Sequence, residues 1–251
     1  MSQNSDWVTD VERSVERFAR KYSLTYSRSE REISASFEIG CFHALVNFYS
    51  ERCKIEPKNL RDGKYYRYLT SPNGNPNNFS YVRARVDGRG YEIRQQVRIR
   101  SHLADDIAFT PDLVVLPEDV DISSTKDKDY AKGKRSFFCV SSEDVIAAHE
   151  CKSMMPFPEL LVSFIGTLTV AHAWLDDPKP KGFFGKVGLH LAPSLFVGGT
   201  PRGLHVRMIR ALEKCYPINV IVGLHSGTWD LTRPTRTLNV LPPGEKLYAW
   251  E

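Results

Sequence analysis

A chain of 251 residues, 41% hydrophobic and 25% charged, has the length and apolar content to bury one substantial core, which argues against a disordered or low-complexity protein. Five cysteines scattered without a CxxC pair give no basis for a disulfide scaffold or a zinc ribbon, and they fit a reducing cytoplasm. A net charge of +4 permits nucleic acid as a partner without arguing for it.

The opening MSQNSDWVTD has neither the basic start nor the apolar run of a secretory leader, so none is expected. Residues 5–22 are predicted to form an amphipathic helix on the outside of the core, with Trp7, Val11, Val15 and Phe18 at helical spacing. A second helix is predicted over 31–52, with Ile33, Phe37, Cys41, Ala44 and Phe48 as one apolar stripe. Glu38 lies in line with Phe42, Leu45 and Tyr49, so its carboxylate is expected to point toward the body of the protein; a helix boundary facing solvent is the alternative.

Residues 57–80 read as a loop by their Pro, Gly and Asn content. Strands are predicted at 81–86 and 91–100, joined by DGRG, whose Asp-Gly start signals a hairpin. Between Arg61 and Arg100 nine cations face three acids, with five tyrosines interleaved, a pattern able to track phosphates. Arg83, Arg85, Arg98 and Arg100 are the candidate nucleic-acid-binding residues; an ordinary solvated sheet face is the alternative.

FTPDLVVL at 109–116 reads as an apolar strand with a Pro-Asp entrance, and 117–135 as a charged surface insertion. Strand-like composition returns at 137–140 and 144–151. Pro156 and Pro158 then open a helix expected to be buried, whose uncharged run at 160–175 falls short of the ~18 residues of a membrane span. Strands at 188–197 and 218–224 surround a helix at 202–215 with Leu204, Met208 and Leu212 on one face. Strands alternating with helices predict an α/β protein with a central mixed sheet flanked by helices.

The chemistry gathers at two strand ends. Side chains alternate along a strand, so in DVIAAHECK Ile146, Ala148, Glu150 and Lys152 share one face. Asp112 shares a face with Val114 and Leu116, and pairing the two strands would bring it beside Glu150. Clustered acids repel; a divalent cation relieves the repulsion and an adjacent ammonium helps keep them ionised. His149, His172 and Cys151 are expected to point into the core.

TPD at 110–112 with ECK at 150–152 resembles the PD-(D/E)xK nuclease superfamily, which has the restriction-endonuclease-like fold. The resemblance covers about 31–200, leaving 1–30 as an N-terminal helical appendage and 201–251 as a C-terminal extension of a single domain. It implies that Asp112 and Glu150 bind one or two Mg2+ ions, with Mn2+ as a substitute. Cys151 would lend a backbone carbonyl, Lys152 would position or activate the attacking water, and Glu38 would match the acid many members supply from an upstream helix. The activity implied is a metal-dependent endonuclease acting on double-stranded DNA, in restriction, antiviral defence or mobile-DNA processing. A homodimer could form through Phe183–Phe184 and Leu195–Val197. A catalytically silent nucleic-acid-binding or assembly module, and an effector awaiting a ligand or partner, stay open, as does a simple surface ion pair between Glu150 and Lys152. Two features depart from the family: the long interval between Asp112 and Glu150, and the missing Gln and Tyr pair of the RecB-like exonucleases. HExxH, GxSxG, GxGxxG and a full phosphate-binding loop are absent.

Overall fold

The structure, a computed structural model, describes residues 5–26, 33–104, 107–124, 138–172, 174, 188–227, 229–231 and 237–243. In chain order the elements are α1 (Ser5–Lys21), β1 (Thr25–Tyr26), α2 (Ile33–Ser50), β2 (Lys54–Lys58), β3 (Tyr65–Tyr66), β4 (Tyr81–Val86), β5 (Arg89–Gln95), β6 (Arg98–Arg100), β7 (Ala108–Phe109) and β8 (Leu113–Pro117). There follow β9 (Ser123–Ser124), β10 (Phe138–Ser141), β11 (Ala147–Lys152), α3 (Pro158–Gly166), β12 (His190–Leu191), β13 (Ser194–Val197), α4 (Leu204–Cys215), β14 (Asn219–Ile221) and β15 (Val240–Leu241). Among the described residues no helix is long and apolar enough to cross a membrane.

The molecule is mixed α/β. Its large sheet has seven strands in the order β14-β13-β11-β8-β5-β4-β2. The strands from β2 to β11 pair antiparallel, whereas β11, β13 and β14 run parallel. A smaller sheet takes β7, β6, β10 and β9. On one face of the large sheet, α1 and α2 bury Trp7, Phe18, Phe37, Phe42 and Phe48 against Ile93, Leu113, Val115 and Phe196. On the other, Val114, Leu116, Ala148 and Leu195 meet Leu161 and Phe164 of α3, Ile209 of α4 and Ile99 of the smaller sheet. Covered on both faces, β8 reads as an unbroken apolar run rather than an alternating one.

Local chemistry accounts for the hairpin. Asp87 and Gly88 take φ of +50° and +76° between the paired Val86 and Arg89, the left-handed pair that a two-residue turn demands.

Several expectations need correction. The strand predicted over 91–100 is two strands: β5 stops at Gln95, Gln96 adopts φ +52°, and β6 joins the smaller sheet. The helix after Pro158 is not buried all round, since Val162 is 60% exposed, and it continues as a π-helical turn at Thr167–Ala171. On α4 the buried residue is Ile209, while Leu204 is exposed. Ile146 precedes β11 and packs with the α2 side rather than sharing the Glu150 face. Helix α1 packs on α2 with Trp7, Val11, Val15 and Phe18 turned into the core, as its spacing predicts, while β14 carries the sheet past residue 200. Leu195–Val197 is fully buried in an inner strand and offers no dimer surface. Phe183–Phe184 and most of the 117–135 stretch lie outside the described residues.

Candidate functional site

The register of β8 on β11 pairs Ala147 with Val115, Ala148 with Val114 and His149 with Leu113. One further step sets Asp112 opposite Glu150. The Asp112 carboxylate is then fixed from three directions. Its Oδ2 accepts the backbone N–H of Cys151 at 2.7 Å and Lys152 Nζ at 3.2 Å, and its Oδ1 accepts Gln96 Nε2 at 3.0 Å. Lys152 Nζ also donates to Glu150 Oε2 at 2.8 Å. The same Gln96 amide reaches Glu38 Oε2 of α2 at 3.1 Å. Three carboxylates and one ammonium from three separated stretches of chain, with the Gln96 amide from a fourth, therefore meet at one end of the sheet. Side-chain exposures of 12% for Asp112, 21% for Glu150 and 33% for Lys152 leave the cluster open on one side.

Crowding of acids shows in their proton affinities. Burial first, and the Asp112 charge second, push the Glu38 carboxyl up to about 7. Glu150 is raised by the same two causes, with Lys152 opposing them. Burial alone would lower the Lys152 ammonium, but the Glu150 and Asp112 charges outweigh it and hold the group above its ordinary range.

Glu38, Asp112 and Glu150 form an oxygen-donor set suited to a hard divalent cation. Among the described residues no three acidic, histidine or cysteine side chains converge directly as a metal-holding group. Donors stand between the acids instead: Lys152 joins Asp112 to Glu150, and Gln96 joins Glu38 to Asp112. Cys151 offers its N–H to Asp112, and its thiol meets that of Cys41 on α2, both buried. His149 and His172 are buried as expected.

The candidate arginines divide between two sheets. Arg83 and Arg85 of β4 converge on Glu118: Arg83 Nε lies 3.1 Å from its carboxylate, and Arg85 Nε donates to it at 3.0 Å. Glu118 sits six positions beyond Asp112, roughly 20 Å away at the rise of an extended strand. Arg98 and Arg100 lie on β6, just past Gln96, with Arg100 Nη2 3.5 Å from Cys139 Sγ.

Gln96 is a site residue that no sequence pattern marks. Its amide links two of the acids, its backbone N–H donates to the Asp112 carbonyl at 3.0 Å, and its φ of +52° is uncommon for a residue with a side chain. Equally unforeseen is the contact of Ser153 Oγ with His225 Nε2 at 3.0 Å, which sets a histidine stacked on Trp7 against the residue that follows Lys152. The chain matches no protein family, no curated protein and no solved structure in comparisons with each.

Proposed function

We propose that this chain is a metal-dependent endonuclease of the PD-(D/E)xK kind, with a restriction-endonuclease-like core, that hydrolyses phosphodiester bonds in DNA. The observation that carries the proposal is the meeting of Glu38, Asp112 and Glu150 around Lys152, from elements far apart in sequence, at an open end of the sheet.

Glu38, Asp112 and Glu150 would hold Mg2+ or Mn2+. Such an ion neutralises phosphate charge and lowers the pKa of a coordinated water. Lys152, its ammonium stabilised by two carboxylates, acts as a donor rather than a base: it holds the attacking water or the phosphate oxygen on which negative charge grows. Gln96 keeps Glu38 and Asp112 at a fixed spacing, and the Cys151 N–H fixes the rotamer of Asp112. Arg98 and Arg100, near this end of the sheet, are the candidates for backbone phosphate contact.

Supercoiled plasmid tests the proposal, incubated with wild type or Asp112→Asn in magnesium, manganese or chelator. Nicking or linearisation that needs the metal and is lost in the variant is the expected result. Equal cleavage by both proteins, or cleavage that survives chelation, would refute it.

A further inference from the structure

Against Glu150, and not lined by Lys152, lies a cavity of about 20 Å3. Its walls include Phe109, Phe164 and Leu168, and its polar lining is Glu150, Thr167 and His172. His172 is 1% exposed, and its ring Nδ1 has no hydrogen-bond partner among the described residues. A buried imidazole nitrogen left unpaired costs stability, so a place that hides one calls for a partner.

The backbone makes a deliberate detour to deliver this ring. Helix α3 widens into the π-helical turn Thr167–Ala171, an irregularity frequent at functional sites, and His172 caps it. The Ala171 carbonyl at that turn accepts from Ser101 Oγ at 2.9 Å and from the His102 backbone N–H at 3.2 Å, which pins the segment. The ring itself is clamped between Trp174, stacked at 4.5 Å, and the edge of Phe109 at 5.8 Å.

We infer that a single water in this cavity links His172 to the Glu150 carboxylate, making His172 a positioning residue for the acid. The volume suits one water, which needs a space of roughly 10–15 Å3 or more and two to four polar partners. Three polar residues, Glu150, Thr167 and His172, line this one. The water accepts from the His172 Nδ1–H and donates to Glu150 and to Thr167 Oγ1, whose own proton is already given to the Ser163 carbonyl at 3.0 Å. Glu150 is thereby held by this water as well as by Lys152. That role in metal binding rests on the nuclease proposal; the water link does not.

High-resolution crystal structures of wild type, His172→Phe and His172→Asn, with calorimetric magnesium titrations of each, test the inference. Wild type is expected to show a water within hydrogen-bond distance of both His172 Nδ1 and a Glu150 oxygen. His172→Phe is expected to lose that water, let Glu150 swing from Lys152, and bind magnesium at least about tenfold more weakly, in the range typical of groups that orient metal ligands. His172→Asn, whose amide reaches the Nδ1 position, is expected to restore most of the affinity. A wild-type cavity without a water touching both groups overturns the link. An unmoved Glu150 with unchanged magnesium affinity in His172→Phe overturns the positioning role. If wild type binds no magnesium, the nuclease proposal falls, and the crystal structures alone decide for or against the link; the wild-type structure decides it even if His172→Phe fails to fold.

Discussion

Gln96 carries two burdens at once, a left-handed backbone and an amide that ties Glu38 to Asp112. Glycine relieves the first and loses the second; alanine loses both. A non-glycine residue in that conformation costs about 1–2 kcal/mol, so Gln96→Gly is expected to unfold in urea at a higher midpoint than Gln96→Ala. Both are expected to cleave more slowly than wild type, and an alanine variant as stable as the glycine one would remove strain from the account. The carboxylates set a pH dependence with a definite sign. Glu38 and Glu150 have folded-state pKa values above the ordinary 4.5, so the folded protein binds more protons than the unfolded chain. Their contribution to stability is present below about pH 4.5 and is lost as pH rises to about 7. Glu38→Gln is expected to flatten this part of the curve in denaturant unfolding at pH 5 and pH 8 without magnesium; an unchanged slope would contradict the raised value. At this scale Asp112, Glu150 and Lys152 were legible because strand alternation and a Pro-Asp entrance are local patterns. Gln96 was not, because a left-handed backbone at a residue with a side chain leaves no trace in composition.

Between elements, α1 packs closely on α2 around Gly40. A Cβ placed on Gly40 would lie 2.6 Å from Val11 Cγ2 and 2.6 Å from the Trp229 ring, so any side chain there forces α1 and the 229–231 segment outward. Gly40→Ala is expected to cost about 1–3 kcal/mol, as overpacking does, measured by chemical unfolding; Gly88→Ala supplies the contrast. Its Cβ meets nothing within 4 Å, and only its φ of +76° opposes the change. A Gly40→Ala protein as stable as wild type would show that the two helices are loosely joined. The hairpin at Asp87–Gly88 was readable because its turn is specified by adjacent residues. The break after Gln95 was not, since Val97 and Ile99 keep the same alternating burial in the smaller sheet that a continued β5 would have given them. The partner of Arg83 and Arg85 was equally hidden. Glu118 lies more than thirty residues downstream and reaches them because Gly90 leaves room for its carboxylate against β5.

Across the whole molecule, the sheet gathers what the chain separates. Strand order places β8 between β5 and β11, which brings the end of β5, the entrance of β8 and the end of β11 to one side, and α2 crosses that side to add Glu38. The α/β class was legible from the alternation of strands and helices. The extent of the sheet was not: β14 enters it from a region expected to be an extension. A site built from four stretches depends on the whole fold, yet one side chain separates chemistry from architecture. Lys152 is one-third exposed, so its truncation leaves the core intact while removing the donor that bridges both acids. The most direct measurement is therefore the rate of supercoiled plasmid cleavage in magnesium by Lys152→Ala against wild type, with melting curves to verify the fold. A loss of at least about 100-fold is expected, the scale of removing one donor from developing charge, in a protein that melts normally. Cleavage by the folded variant at the wild-type rate would contradict the nuclease proposal.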